Sequence, residues 1–322
     1  MAIKPGSNSL TDTIHLVYVH ELTDDNTIPS IIGNFGIEYV RSNNGGTTWS
    51  TPVVIGRGRN RSDKLWWEVQ FPVVAIDPRN NTVYVAWEEF GPVRTLRVRK
   101  SNNGGMTWGS VCTIASINAV GSGSGVRENL QGKINAGSSF SLVVNPANGH
   151  VYVCYHQGEY DEFDALSGLY RYSGIYFRRS TDGGTTWSAA ARINNDQVAT
   201  PFDQFQPGIA VSRNGSKIGI VYYDRRSSSA NFNMQVYYAS INPFLSDPTI
   251  SANWVNTVRT GLFPALGANI QDDGTGKLPW YGNMGNYNDP CADTAGINTT
   301  NIIGAWTSTF YGNQDVWVEK LP

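Results

Sequence analysis

Ser42-Asn43-Asn44-Gly45-Gly46-Thr47-Thr48-Trp49 decides the fold, because the chain writes this stretch three times. It returns as Ser101-Asn102-Asn103-Gly104-Gly105-Met106-Thr107-Trp108 and as Ser180-Thr181-Asp182-Gly183-Gly184-Thr185-Thr186-Trp187. The shared pattern is Ser-x-Asn/Asp-x-Gly-x-Thr-Trp, and a pattern held at three places marks a repeat architecture. Asn and Asp side chains accept hydrogen bonds from turn N–H groups, and glycine takes the positive φ that a tight turn needs. Gly46, Gly105 and Gly184 are the expected positive-φ positions. Asp182 is therefore expected to build its turn rather than to serve as a catalytic acid. Trp49, Trp108 and Trp187 are expected to be core residues.

Working outward, a β-rich run also recurs, at His15–Val19, Val83–Trp87, Val151–Tyr155, Ile218–Tyr222 and Ile302–Trp306. Several copies follow another apolar run and a Pro, Asn or Gly cluster, as in Phe71–Ile76 before Asp77–Asn81 and Phe140–Val144 before Asn145–Gly149. These are hairpin signals. A third strand ends at the serine of each repeat, and a short fourth strand follows, such as Pro52–Ile55 or Trp254–Val258. Four antiparallel strands per repeat is the signature of a propeller blade. The chain reads as an all-β protein, a single β-propeller domain over residues 1–322 with five visible four-stranded blades, six if the sequence lacks one.

The first blade reads as lacking an inner strand, since residues 1–13 are mostly polar, and the fifth as lacking its outer strand. Open edges invite pairing. Residues near Ile3 pairing with the last blade, a missing blade, or a strand from another chain would each close the ring, and self-association through open edges follows from the same logic.

Composition narrows the function. The 322 residues are 40% hydrophobic and only 16% charged, with a formal net charge of -2. That balance argues against a nucleic-acid or membrane-surface binder, which carries a basic excess. No stretch approaches the ~20 apolar residues of a membrane span. The opening residues lack the apolar core of a secretion signal, so either the protein is cytoplasmic or a signal preceded this sequence. A surface poor in Lys and rich in Asn, Ser, Thr and Gly favours secretion. Cys112, Cys154 and Cys291 are too widely spaced for a disulfide framework or a Cys-x-x-Cys metal site, and Cys154 reads as a small buried hydrophobe.

The repeated box resembles the Asp-box, or BNR repeat, of the sialidase-like propellers, and the resemblance extends as a repeat pattern over essentially the whole chain. In that family the box forms the turn between third and fourth strands, its acidic or amide side chain caps backbone amides, and its Trp packs between strands. Sialidases of the family hold the substrate carboxylate with an arginine cluster, use a Tyr activated by Glu as nucleophile and an Asp as acid/base. The resemblance thus implies recognition of a glycan or small sugar, with exo-glycosidase activity toward acidic sugars. The family's Phe-Arg-Ile-Pro motif is absent: Phe71-Pro72 and Phe205-Gln206-Pro207 occupy comparable strand positions without the Arg. No arginine triad carries over residue by residue. Asp boxes also occur in propellers that are not sialidases, so a non-catalytic structural or adhesion propeller binding protein partners is the alternative.

If the boxes mark one face, the second-to-third-strand loops and the blade-to-blade loops emerge on the other. Charged and aromatic residues concentrate there. The catalytic candidates are Glu88, Asp203, Asp224 and Tyr281, and the substrate-binding candidates are Arg57, Arg59, Arg61, Trp66, Trp67, His156, Arg225 and Arg226. Bidentate arginine suits a carboxylate, and paired carboxyls suit glycosidic cleavage. Solvated loop charge and blade-junction padding are the plain readings of the same residues. His15, His20, His150 and His156 have no metal-ligand spacing, and no resident metal or cofactor is expected. Ca²⁺ is the one ion the acidic run Glu159–Asp164 or the turn Gln271-Asp272-Asp273-Gly274 would suit, although neither has EF-hand spacing. A glycosidase requires two carboxyls or a Tyr–Glu pair to converge with at least two arginines nearby, whereas an interaction module requires only scattered charge.

Overall fold

The computed structural model describes residues 1–21, 35–58, 68–91, 93–118, 129–130, 134–135, 140–164, 169–196, 202–229, 233–262, 291–292, 302–308 and 315–321. Nearly all regular structure is strand. The first sheet runs β1 (Ala2–Lys4), β2 (Thr13–Glu21), β3 (Phe35–Ser42) and β4 (Val53–Arg57). The second runs β5 (Glu68–Ile76), β6 (Val83–Phe90), β7 (Arg94–Ser101) and β8 (Val111–Ile117). A two-stranded ladder, β9 (Asn129–Leu130) and β10 (Ile134–Asn135), precedes the third sheet. That sheet comprises β11 (Phe140–Val144), β12 (Val151–Asp164), β13 (Leu169–Ser180) and β14 (Ala191–Arg192). The fourth comprises β15 (Gln204–Val211), β16 (Ile218–Asp224), β17 (Gln235–Ile241) and β18 (Val255–Val258). The fifth has three described strands, β19 (Cys291–Ala292), β20 (Ile302–Ser308) and β21 (Asp315–Leu321). Each sheet pairs its strands in sequence order, the meander of a propeller blade.

The expected gap in the first sheet is filled. Ala2, Ile3 and Lys4 pair with His15, Ile14 and Thr13 of their own sheet, not with the last. A ladder needs only backbone groups, so a polar neighbourhood does not prevent three residues from closing it. Ala2 turns inward onto the apolar cluster, while the polar run behind it winds into a 3-10 turn capped by Asn8, whose side chain accepts from Leu10 N at 3.0 Å.

The described residues form two compact units. One comprises Met1–Ile117 with Gly149–Val151 and Ser180–Trp187, and the other Asn118–Asn148, Tyr152–Arg179 and Ser188–Pro322. In the first unit Ile37, Tyr39 and Ile55 of the first sheet share a cluster with Val69, Val74, Val85 and Trp87 of the second. In the second unit, Tyr152, Cys154, Ile175 and Phe177 pack with Ile209, Ile220 and Tyr222 of the fourth sheet and with Trp254, just before β18. Ala210, Val221 and Tyr238 then pack with Ile302 and Leu321 of the fifth. Burying each such side chain contributes about 1.5–3 kcal/mol. Cys154 is fully buried, and burial pushes its thiol pKa up, as suits an inert hydrophobe.

The three boxes share one hydrogen-bond scheme. The serine hydroxyl donates to the side-chain oxygen two residues on, at 2.9 Å for Ser42–Asn44 and Ser101–Asn103 and 2.8 Å for Ser180–Asp182. That oxygen accepts from the N–H of Thr48, Thr107 or Thr186 at 2.9 Å. Gly46, Gly105 and Gly184 have φ of 91, 85 and 81°. The tryptophans are less buried than expected. Trp108 is half-buried, edge-on against Tyr39 of the first sheet at 4.8 Å, whereas Trp49 is 44% exposed. Trp108 is covered by the sheet preceding its own, and Trp49 belongs to the first sheet.

Substitution separates the two demands on box glycines. Gly104→Ala meets no close contact and is expected to cost about 1–2 kcal/mol for its left-handed backbone. Gly105→Ala also drives a methyl into the Tyr39 hydroxyl and should cost about 1–3 kcal/mol more in chemical denaturation. Asp182 offers a pH test. Its hydrogen bonds from the Thr186 hydroxyl and amide hold its pKa at about 2, below the ordinary 3.8. The stability it contributes is complete above the unfolded value and is lost as pH falls from about 4 to about 2. Asp182→Asn, which restores the residue type of the other two boxes, is expected to flatten the wild-type melting profile over that window with little change at neutral pH.

Candidate functional site

In the second unit the end of β15 carries a bulge. Gln204 pairs with Asp224 and Phe205 with Tyr223, but the register then slips to Gly208 opposite Val221. Gln206 sits there at φ 49°, in the left-handed region, directly before Pro207, which has no N–H for the ladder. The Gln206 N–H donates instead to His156 Nδ1 at 3.2 Å. Ser173 Oγ donates to the Gln204 carbonyl at 2.7 Å. Strain of this kind persists only where the surroundings over-determine it, and here it fixes Asp203 and Gln204 at the strand end. Phe71-Pro72 in β5 repeats the device, with Phe71 at φ 53° and a slip between Gln70 and Val73.

Two arginine–aspartate pairs meet beside this bulge. Arg225 and Asp203 are fully buried, with Nη1 donating to Oδ2 at 3.3 Å and the Arg225 N–H to the Asp203 carbonyl at 3.0 Å. The Arg225 guanidinium lies 5.3 Å from the Phe205 ring centroid. Arg226 turns the other way. It grips buried Asp224 at 2.9 and 2.6 Å and reaches Asp196 at 3.8 Å with the same Nη2. Gln204 Nε2 donates to Asp196 at 3.1 Å and lies 3.5 Å from Asp224, so the two carboxylates flank a single amide and a single guanidinium nitrogen. Arg192 links onward, 3.1 Å from Asp196 and donating to Glu159 at 2.6 and 3.1 Å. Glu159 accepts from the Tyr176 hydroxyl at 3.0 Å. Asn194 closes the set, donating to Asp196 at 2.6 Å and Gln204 at 2.8 Å.

Burial and charge act on these groups in opposite senses. Burial and the Asp196 charge raise the Asp224 pKa, Arg226 opposes them, and the result lies above the ordinary carboxylate value. Arg226 is held up by Asp224 against the burial that would lower it, while burial lowers Arg225 despite Asp203. Burial, with Glu159 beside it, raises Tyr176 to about 12, so its phenol stays protonated at neutral pH. The network reaches solvent at Asn195, whose side-chain oxygen accepts from Arg226 at 2.5 Å, and at Arg226 itself, stacked 4.3 Å from the Tyr237 ring centroid.

Of the residues singled out from sequence, Asp203, Asp224, Arg225, Arg226 and His156 thus come together in the second unit. Glu88 lies in the first, buried and paired with Arg94 at 2.9 Å, while neighbouring Glu89 pairs with Arg97 at 2.8 Å. Arg57 ends β4 and is exposed. Arg59, Arg61, Trp66, Trp67 and Tyr281 lie outside the described residues, as does the turn Gln271-Asp272-Asp273-Gly274. Glu159 of the acidic run is committed to Arg192 and Tyr176, and the side chains of residues 160–164 lie outside the described set. Among the described residues no three His, Cys, Asp or Glu side chains converge to hold a metal ion, and no helix is long and apolar enough to cross a membrane. Sequence reasoning missed Asn194, Asp196, Arg192 and Gln204. Asn194-Asn195-Asp196 begins the same blade-to-blade loop that supplies Asp203, and that placement was the available signal.

No family model and no curated protein matches the chain. Solved structures do resemble it. The Hadza microbial sialidase Hz136 shares 11% identity at a TM-score of 0.46, over 90% of this chain and 53% of that one. The leech intramolecular trans-sialidase shares 13% at 0.44, over 90% and 36%. A Dyadobacter fermentans protein of unknown function shares 13% at 0.47, over 96% and 72%. The chain spans about half or less of the length of these two sialidases.

The deepest pair sets a stability expectation. Arg225→Met removes the ion-pair partner of buried Asp203 and should lower unfolding free energy by about 3–5 kcal/mol. Adding Asp203→Leu should recover part of that loss in the double variant.

Proposed function

We propose that this protein recognises carbohydrate through the polar cluster of its second unit, with acidic sugars as the ligand class. One observation carries the reading: two arginines, Arg192 and Arg226, converge on Asp196 among the amides of Asn194, Asn195 and Gln204, at a point where the network opens to solvent. Guanidinium groups bind carboxylates bidentately, and carboxamides serve sugar hydroxyls as both donor and acceptor. Arg226 lies over Tyr237, 4.3 Å from the ring centroid. A ligand carboxylate displacing the exposed Asn195 amide would keep that guanidinium paired while Asp224 stays in place behind it.

A second reading, exo-glycoside hydrolysis, has its own support. Asp224 is held toward its protonated form and Asp196 lies across the same arginine, a carboxyl pair of the kind that shares acid and base roles. Tyr176 with Glu159 forms a second candidate pair. The high Tyr176 pKa argues against a standing phenolate, so a nucleophilic role there requires proton transfer to Glu159 in the same step.

Titration of the chain with sialyllactose by calorimetry tests the first reading. Arg226→Ala and Asn195→Asp should each weaken binding at least about tenfold. Asn195 is exposed, so its variant keeps the fold while placing a carboxylate where the ligand's would sit. Absence of saturable binding to acidic oligosaccharides, or binding indifferent to both variants, rejects the proposal. For hydrolysis, release from a fluorogenic sialoside should fall about 10²–10⁴-fold in Asp224→Asn. No release by the unmodified chain removes the hydrolase reading and leaves recognition standing.

A further inference from the structure

A separate cavity lies in the first unit, on the side of the box turns that the sequence pattern assigns to structure alone. It is a cleft of about 360 Å³ between the first two sheets, with the first and second boxes on its rim. Its cations are Lys4, from the short strand β1, and Arg41, one residue before the first box. No Asp or Glu is among the residues that line it, and among the described residues neither cation has an acidic partner. Arg41 spends one donor, Nη1, on the Gly104 carbonyl at 3.0 Å, which fixes the guanidinium in place. Exposed Asn43, Asn81 and Asn102 border the cleft with side chains that make no hydrogen bond among the described residues. At its base, buried His15 is hydrogen-bonded to the Tyr39 hydroxyl at 2.6 Å.

We propose that this cleft binds a single anionic sugar residue, its carboxylate held by Arg41 and Lys4 and its hydroxyls by the carboxamides of Asn43, Asn81 and Asn102. Three physical points favour that class. Two uncompensated cations held in one concave site create a positive field that one anionic group neutralises. Carboxamides that donate and accept match vicinal hydroxyls better than they match a bare anion. The volume sits at the lower end of small-ligand pockets and suits one ring. The field is visible in His15, whose pKa is brought to about 4 by burial, with Arg41 and Lys4 adding to the effect, so the imidazole stays neutral at neutral pH.

The test uses the full chain and four probes at fixed ionic strength: D-glucuronate, D-glucose, acetate and sulfate, followed by calorimetry or NMR titration. Glucuronate should bind saturably, with the other three at least about tenfold weaker. Lys4→Ala and Asn102→Asp should each weaken glucuronate binding about tenfold with little change in melting temperature, because neither side chain makes a hydrogen bond or ion pair among the described residues. Arg226→Ala, which touches only the acidic-sugar site proposed in the other unit, should leave the glucuronate-induced NMR shifts of the cleft residues unchanged. Glucuronate binding no tighter than glucose overturns the proposal. Acetate or sulfate binding as tightly as glucuronate reduces the cleft to a simple anion hole and overturns the sugar assignment. Affinity that survives both cleft variants but falls with Arg226→Ala places the binding elsewhere and overturns it outright.

Discussion

A serine hydroxyl and a side-chain oxygen two residues later close the same turn three times, and the sheets depend on that closure. The turn must return the chain from the third strand to the fourth in a few residues, which demands left-handed backbone at its glycines and leaves N–H groups pointing inward. Asn44, Asn103 and Asp182 satisfy those groups with one acceptor oxygen each. The carboxamide does the work as well as the carboxylate, because the turn asks only for an acceptor. The motif's acidic member is therefore a matter of geometry, and the low Asp182 pKa is a consequence of the cap rather than a sign of reactivity.

At the other end of the strands the governing constraint is charge in a dry interior. Asp203, Arg225 and Asp224 are fully buried, and each can stay there only by meeting an opposite charge. The pairs Asp203–Arg225 and Asp224–Arg226 come from adjacent residues that point in opposite directions, as strand ends dictate. One pair is sealed and the other continues through Asp196 and Arg192 to the surface. The inner strand holds this arrangement by a bulge rather than a regular ladder: Pro207 cannot donate, Gln206 turns left-handed, and His156 receives the freed N–H.

The five central strands, their turns and the box hairpins were legible in the sequence because alternation, Pro–Asn–Gly punctuation and repetition are local signals. The short β1 was not, since three residues that pair through backbone alone leave no apolar pattern. Of the site, Asp203, Asp224, Arg225 and Arg226 could be placed by counting which loops share an end. Asp196 and Gln204 could not, because an Asp in a polar loop and a Gln at a strand end look like ordinary surface until a neighbouring sheet covers them. Glu88 has the same local setting as Asp224, yet it pairs with Arg94 in the first unit, away from the second unit's cluster.

The sequence by itself determined the sheet order, the turn chemistry of the boxes and the end of the strands where charge would collect. Those depend on residues within one hairpin of each other. Only the tertiary structure decided which charges neutralise one another, that Trp49 stays exposed where Trp108 is covered, and that two cations face a cleft without an acid. Pairing and burial are properties of surfaces brought together from distant parts of the chain, and no local pattern of residues specifies them.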